Sequence, residues 1–76
     1  TEEEKQAVLK AIEILNENPV VRYMSQAMIA TNAGIKPTKV RAVLVELIEE
    51  NKVIQYRATD NPKLQRFYYV INTTKD

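Results

Sequence analysis

The chain has 76 residues, of which 45% are apolar; this suffices for one small hydrophobic core and argues against wholesale disorder. It contains no cysteine and no histidine, so disulfides, zinc sites and histidine-based acid/base catalysis are excluded on residue type alone. Eleven basic and ten acidic side chains leave a net charge of +1, unlike the strongly basic balance of proteins that bind nucleic acid regardless of sequence.

These properties predict a single domain over residues 1–76 that is not an enzyme and needs no cofactor or metal. No apolar run approaches the roughly 18 residues of a membrane-spanning helix, and no signal-peptide pattern is present. We therefore expect a cytoplasmic protein that binds neither a membrane nor a small-molecule substrate.

Apolar residues at helical spacing predict a first helix from about Glu2 to Asn16. The residues that recur at this spacing are Val8, Ala11, Ile12 and Leu15. We expect Asn18 and Pro19 to end the helix, because the residue before a proline disfavours helical backbone. The β-branched and aromatic run 20–24 then predicts a short strand.

A second helix is predicted from about Gln26 to Ala33, with Ser25 as its N-cap. Gly34 is expected to end it in the left-handed conformation. Ala30, four residues before this glycine, is small enough to let a neighbouring helix approach closely. This spacing is typical of two helices joined by a tight turn.

The third helix is predicted from about Pro37 to Asn51, with Pro37 in the first turn, where its missing N–H costs nothing. Asn51 is expected to follow the helix in place of the usual glycine. The predicted buried residues are Val40, Val43, Leu44, Leu47 and Ile48. The second helix of such a helix-turn-helix usually lies in the major groove of DNA.

Beyond the third helix the apolar period changes to two, which predicts a β-hairpin. Its strands are predicted over Val53–Arg57 and Leu64–Asn72, joined by a turn over Ala58–Lys63 that contains Asp60, Asn61 and Pro62. The predicted fold class is therefore α+β: three helices, a short strand and a C-terminal hairpin.

This layout resembles a winged-helix DNA-binding domain over nearly the whole chain, from Glu2 to Asn72. The resemblance rests on the turn at Ala30 and Gly34, on the apolar stripe of the third helix and on the aromatic second hairpin strand. Size and layout are similar to small bacterial transcription regulators of the FaeA/PapI and MarR-like types. The resemblance implies a recognition helix over about 37–51 in the major groove and a wing over 53–72 on the DNA backbone or in the minor groove.

The candidate base-reading residues lie on the side of the third helix opposite its apolar stripe. They are Lys36, Thr38, Lys39, Arg41, Ala42 and Val45. Arg41 is suited to bidentate contact with guanine, Thr38 to a phosphate or a base, and Ala42 and Val45 to thymine methyl groups. The alternative is that all are ordinary exposed helix residues.

Three cations on the predicted wing, Arg57, Lys63 and Arg66, are candidates for phosphate contacts. The alternative is that they are solvated charges that protect an exposed hairpin edge. For the nearby aromatic residues, packing is favoured over stacking on bases; these are Tyr56, Phe67, Tyr68 and Tyr69.

The glutamates of the first helix and of segment 46–50 are predicted to be solvated and to face away from DNA. One small module binds a specific site weakly, so the expected partners are double-stranded DNA together with a second copy or another protein. The near-neutral charge leaves an alternative function: a winged-helix protein–protein interaction module within a larger replication or transcription complex.

Overall fold

Three helices are followed by a two-stranded antiparallel sheet in the computed structural model, which describes residues 2–59, 63 and 66–72. The elements in chain order are α1 (Glu2–Glu17), α2 (Gln26–Ala33), α3 (Pro37–Glu49), β1 (Val53–Arg57) and β2 (Phe67–Ile71). The architecture is α+β, as predicted. None of the helices in the described part of the chain is long and apolar enough to cross a membrane.

The ends of α2 confirm the predicted capping residues. Ser25 has extended backbone angles, and its Oγ accepts a hydrogen bond of 3.1 Å from the Met28 N–H. Gly34 has a φ of +72° and donates its N–H to the Ala30 carbonyl at 2.8 Å. A glycine enters this left-handed conformation without the strain that a Cβ would add. The chain can therefore turn sharply into α3.

The C-terminus of α3 lies at Glu49, two residues before the predicted end. Asn51 has a φ of +61°, which confirms its predicted role after the helix and explains why the helix cannot include it. The Lys52 N–H bonds the Leu47 carbonyl at 2.9 Å and the Asn51 N–H bonds the Ile48 carbonyl at 3.0 Å. These two bonds form a Schellman motif, which satisfies the last carbonyls of α3.

The short strand predicted over 20–24 is wrong except for one residue. The chain turns after α1, with the Val21 N–H bonded to the Asn18 carbonyl, and only Met24 reaches the sheet. Met24 donates its N–H to the Phe67 carbonyl at 2.7 Å and is buried. A turn at the start of the run and a single bridge at its end thus replace the predicted strand.

The hairpin forms with β1 and β2 antiparallel, and Gln55 lies opposite Tyr69 at its centre. The second strand begins at Phe67, although its predicted start at Leu64 lies outside the described residues. The turn residues 60–62 also lie outside them. Along β2, the backbone N–H and C=O groups of residues 68 and 70 point toward β1. Those of residues 67, 69 and 71 point toward the outer edge of the sheet.

The core lies where α1 meets α2, α3 and β2, and it contains every residue predicted for the α1 stripe. It also contains the predicted α3 stripe apart from Ile48, which is half-buried. The buried residues are Val8, Ala11, Ile12, Leu15, Met24, Ile29, Ala30, Val40, Val43, Leu44, Leu47, Val53 and Tyr69. Burying one face of α3 in this way leaves its opposite face in solvent.

Asn16, near the end of α1, joins that helix to the outer edge of β2. Its Nδ2 donates to the Tyr69 carbonyl at 2.8 Å and to the Tyr68 hydroxyl at 3.3 Å. Its Oδ1 accepts from the Ile71 N–H at 3.3 Å. One amide side chain thus substitutes for a neighbouring strand, and it fixes the hairpin against the helical core.

Candidate nucleic-acid interface

The outward face of α3 carries the residues that the sequence placed there. Successive residues of an α-helix are about 100° apart, so Thr38, Ala42 and Val45 follow one line directly opposite the buried side chains. All three are exposed, and Val45 has 51% of its surface in solvent. The centre of this face is therefore uncharged, and it presents the methyl groups of Ala42 and Val45 and the hydroxyl of Thr38.

Cations flank the first half of this line. Lys36 precedes the helix as its N-cap, Lys39 lies on one side of the line, and Arg41 lies on the other. All three are exposed, and none forms an ion pair with the acidic side chains in the described part of the chain. Their positive charge is therefore not neutralised by those side chains.

The glutamates at the end of α3 are exposed, as predicted, and one lysine ties two of them to α1. Lys5 Nζ lies 2.8 Å from Glu50 Oε2 and 3.4 Å from Glu46 Oε2. The hydrogen bond to Glu50 raises the pKa of the Lys5 amine and lowers the pKa of the Glu50 carboxyl. Lys52 also lies 3.4 Å from Glu50 Oε1. These contacts partly neutralise the acidic end of α3.

The three candidate cations near the hairpin are all exposed. Arg57 ends β1, Lys63 lies in the connection, and Arg66 immediately precedes β2. The Arg66 guanidinium carbon is 4.4 Å from the centre of the Tyr23 ring. Arg66 is therefore held at the surface by a residue that comes just before α2.

The aromatic residues of β2 pack as predicted. Tyr69 is buried, which raises the pKa of its hydroxyl, and Phe67 and Tyr68 are half-buried against the core. Tyr56 on β1 differs, with 52% of its surface exposed. Most of the aromatic side chains near these cations thus pack against the core.

A groove runs between the start of α2, the start of α3 and β2. One cation from each set is the sequence neighbour of a residue in its lining: Lys36 precedes Pro37, and Arg66 precedes Phe67. The residues that line the groove are Met24, Ser25, Gln26, Ala27, Pro37, Phe67 and Tyr69. Folding thus brings the neighbours of two basic residues, which are about thirty positions apart in the sequence, to one groove.

Two contacts that shape this surface were missed from the sequence, those of Lys5 and Asn16. Lys5 lies three residues before Val8, and Asn16 lies four residues after Ile12, so each polar residue is close in helical phase to the buried stripe. A polar residue beside the buried stripe of a helix indicates that its side chain contacts another element of the fold. It does not reveal which element, because the partners are 45 to 55 residues away.

Comparisons with protein-family models, with curated proteins and with solved structures found no match for this chain. Its function is therefore inferred from the charges, exposures and contacts just described.

Proposed function

We propose that this chain is a winged-helix domain that binds double-stranded DNA sequence-specifically, as part of a transcription regulator. In this proposal α3 enters the major groove, and the β1–β2 hairpin is the wing, on the backbone or in the minor groove. The order of helices and strands, the tight α2–α3 turn and the exposed outer face of α3 support the proposal.

The observation that carries the proposal is the charge order along α3, which opposes the helix dipole. The N-terminus of a helix attracts anions, yet the cations Lys36, Lys39 and Arg41 lie around this end of α3, and its first turn holds no acidic residue. The glutamates lie at the other end, where cations are preferred. Charges of the unfavourable sign at a helix end reduce the stability of the helix. A bound phosphate backbone would turn the cost at the N-terminal end into attraction.

The proposed DNA contacts follow from where each residue lies on α3 or near the hairpin. Arg41 is suited to a bidentate contact with guanine O6 and N7, and Thr38 to a phosphate or base edge. Ala42 and Val45 would pack against thymine methyl groups. The remaining cations would contact phosphates; they are Lys36, Lys39, Arg57, Lys63 and Arg66.

These five contacts give a logarithmic salt slope of about −4.5, because each neutralised phosphate contributes about −0.9. Between 50 and 200 mM salt the affinity would then fall about five-hundredfold. One module of this size gives modest specificity, so we propose that a second copy or another protein completes the regulator.

Fluorescence anisotropy of a labelled mixed-sequence duplex at low salt tests the proposal. We expect wild-type binding in the range of about 1–100 µM, the range of non-specific protein–DNA affinities. The double variant Lys39→Glu/Arg41→Glu should lose binding, whereas Lys10→Glu, which reverses an exposed charge on α1, should have a much smaller effect. Circular dichroism melts of all three proteins confirm that they are folded.

Two results would refute the proposal. One is the absence of duplex binding by the wild-type chain at low salt and concentrations up to about 100 µM. The other is a double variant that binds as tightly as the Lys10→Glu control, because the cationic start of α3 would then not be the binding surface.

The second candidate function is a winged-helix protein–protein interaction module within a larger replication or transcription complex. The exposed apolar side chains of Val45 and Tyr56 favour it, together with the net charge of +1. Charged residues are depleted at the centres of protein interfaces, and aromatic residues are enriched there. Failure of the wild-type chain to bind any duplex would favour this function.

A further inference from the structure

Tyr23 and Arg66 contact each other at the surface, and backbone hydrogen bonds hold the two chain segments that carry them. The guanidinium carbon of Arg66 lies 4.4 Å from the centre of the Tyr23 ring. The next residue in each segment joins the two, since the Met24 N–H donates to the Phe67 carbonyl at 2.7 Å. The Arg66 carbonyl also accepts from the Ala58 N–H at 2.8 Å. Tyr23 is thereby held beside Arg66.

The Arg66 guanidinium lies over the Tyr23 ring. A guanidinium that places its flat face on a ring leaves its N–H donors available in the plane of the group. Arg66 forms no ion pair with the acidic side chains that the structure describes, so acidic groups do not occupy those donors there. A lysine at this position would be a flexible point charge, without a plane to orient. The contact therefore controls the direction of the donors as well as the location of the charge.

The position of the pair matters for the proposed DNA complex. Ser25 and Gln26 follow Tyr23 and Met24 directly and begin α2, whose N-terminal backbone N–H groups attract anions. Phe67, next to Arg66, lines the same groove as Ser25 and Gln26. Arg66 is thus the sequence neighbour of a residue in this groove, and its guanidinium suits the phosphate that the inference places there.

We infer that Tyr23 is a positioning residue for DNA binding: its ring holds the Arg66 guanidinium with its N–H edge toward a backbone phosphate beside the start of α2. This inference rests on the proposed function and extends it, because it assigns a role to a residue that contacts no DNA itself. The phosphate contact belongs to Arg66, and its orientation depends on the aromatic ring.

Duplex affinity measured over a range of salt concentrations tests the inference with four single variants. Tyr23→Phe keeps the ring and should bind like wild type. Tyr23→Leu and Arg66→Lys lose the stacked geometry and should bind about two- to fivefold more weakly, as expected for an exposed cation–π contact. Arg66→Gln removes the charge and should reduce the magnitude of the salt slope by about 0.9.

The double variant Tyr23→Leu/Arg66→Gln distinguishes positioning from a purely structural role. If Tyr23 acts through Arg66, adding Tyr23→Leu to the Arg66→Gln variant causes no further loss of duplex affinity. Equal losses in both backgrounds would overturn the inference, as would wild-type affinity in Tyr23→Leu or a loss in Tyr23→Phe equal to that in Tyr23→Leu. Arg66→Lys provides the same test of geometry if Tyr23→Leu fails to fold.

These outcomes separate the inference from the proposed function. A wild-type chain that binds no duplex overturns both. A chain whose binding depends on Lys39 and Arg41 but not on Tyr23 overturns the positioning role alone.

Discussion

Replacing Asn16 by alanine should reveal how much the hairpin depends on one side chain. The substitution removes the donor to the Tyr69 carbonyl and the acceptor of the Ile71 N–H, along with the weaker contact to the Tyr68 hydroxyl. The outer edge of β2 would then lack these partners. Asn16 is half-buried, so water can reach part of the vacated edge.

The expected loss is about 2 kcal/mol of unfolding free energy. A typical hydrogen bond contributes about 1 kcal/mol net, and leaving a buried backbone group unpaired costs about 1–3 kcal/mol. Partial access of water places the cost of each backbone group near the lower limit. A domain of this size shifts its midpoint by about 4–8 °C for each kcal/mol, so Asn16→Ala should melt roughly 10 °C lower.

Asn32→Ala is the matched control, because Asn32 is also the penultimate residue of its helix. Its side chain forms one exposed bond, from Nδ2 to the Met28 carbonyl at 3.1 Å. Both substitutions gain the higher helix propensity of alanine, so the difference between them isolates the contact with β2. Urea unfolding followed by circular dichroism measures both variants.

The reasoning would be refuted if Asn16→Ala lost no more stability than Asn32→Ala. Asn16→Asp adds a second check, since it retains an acceptor for the Ile71 N–H but loses the donor to the Tyr69 carbonyl. It should also be less stable than wild type at neutral pH, where its carboxylate faces a carbonyl oxygen.

Two further predictions concern pH and the bases that α3 reads. The hydrogen bond with Lys5 lowers the pKa of Glu50 in the folded chain. The contact therefore stabilises the fold fully above the unfolded pKa, about 4.3, and this stabilisation is lost as the pH falls through the folded pKa. Thermal melts from pH 7 to 3 should therefore show a shallower decline for Glu50→Gln than for wild type, and equal declines would contradict the contact. If Ala42 and Val45 contact thymine methyl groups, replacing thymine by deoxyuridine in a duplex that the chain binds sequence-specifically should weaken wild-type binding, measured by anisotropy. A Val45→Ala variant should be less sensitive to that replacement, and identical sensitivity would refute the assigned contact.

Local patterns in the sequence were enough to predict the helices and most of the core, because those features depend on neighbours within one or two turns. Ser25, Gly34 and Asn51 mark helix ends through their own backbone and side-chain chemistry, so their roles were predictable. The buried stripe of α3 was predictable too, since its period alone defines which side is apolar. The same period placed Arg41 and Val45 on the exposed side.

The contacts that hold these elements together were not predictable from local patterns. The contacts of Asn16 with β2, of Lys5 with Glu50 and of Tyr23 with Arg66 join residues more than forty positions apart. Local propensity carries no information about such partners, because they meet only after the core has fixed the directions of the helices and the hairpin. For the same reason the short strand predicted over 20–24 shrank to the Met24 bridge: whether an extended segment becomes a strand depends on which edge it meets.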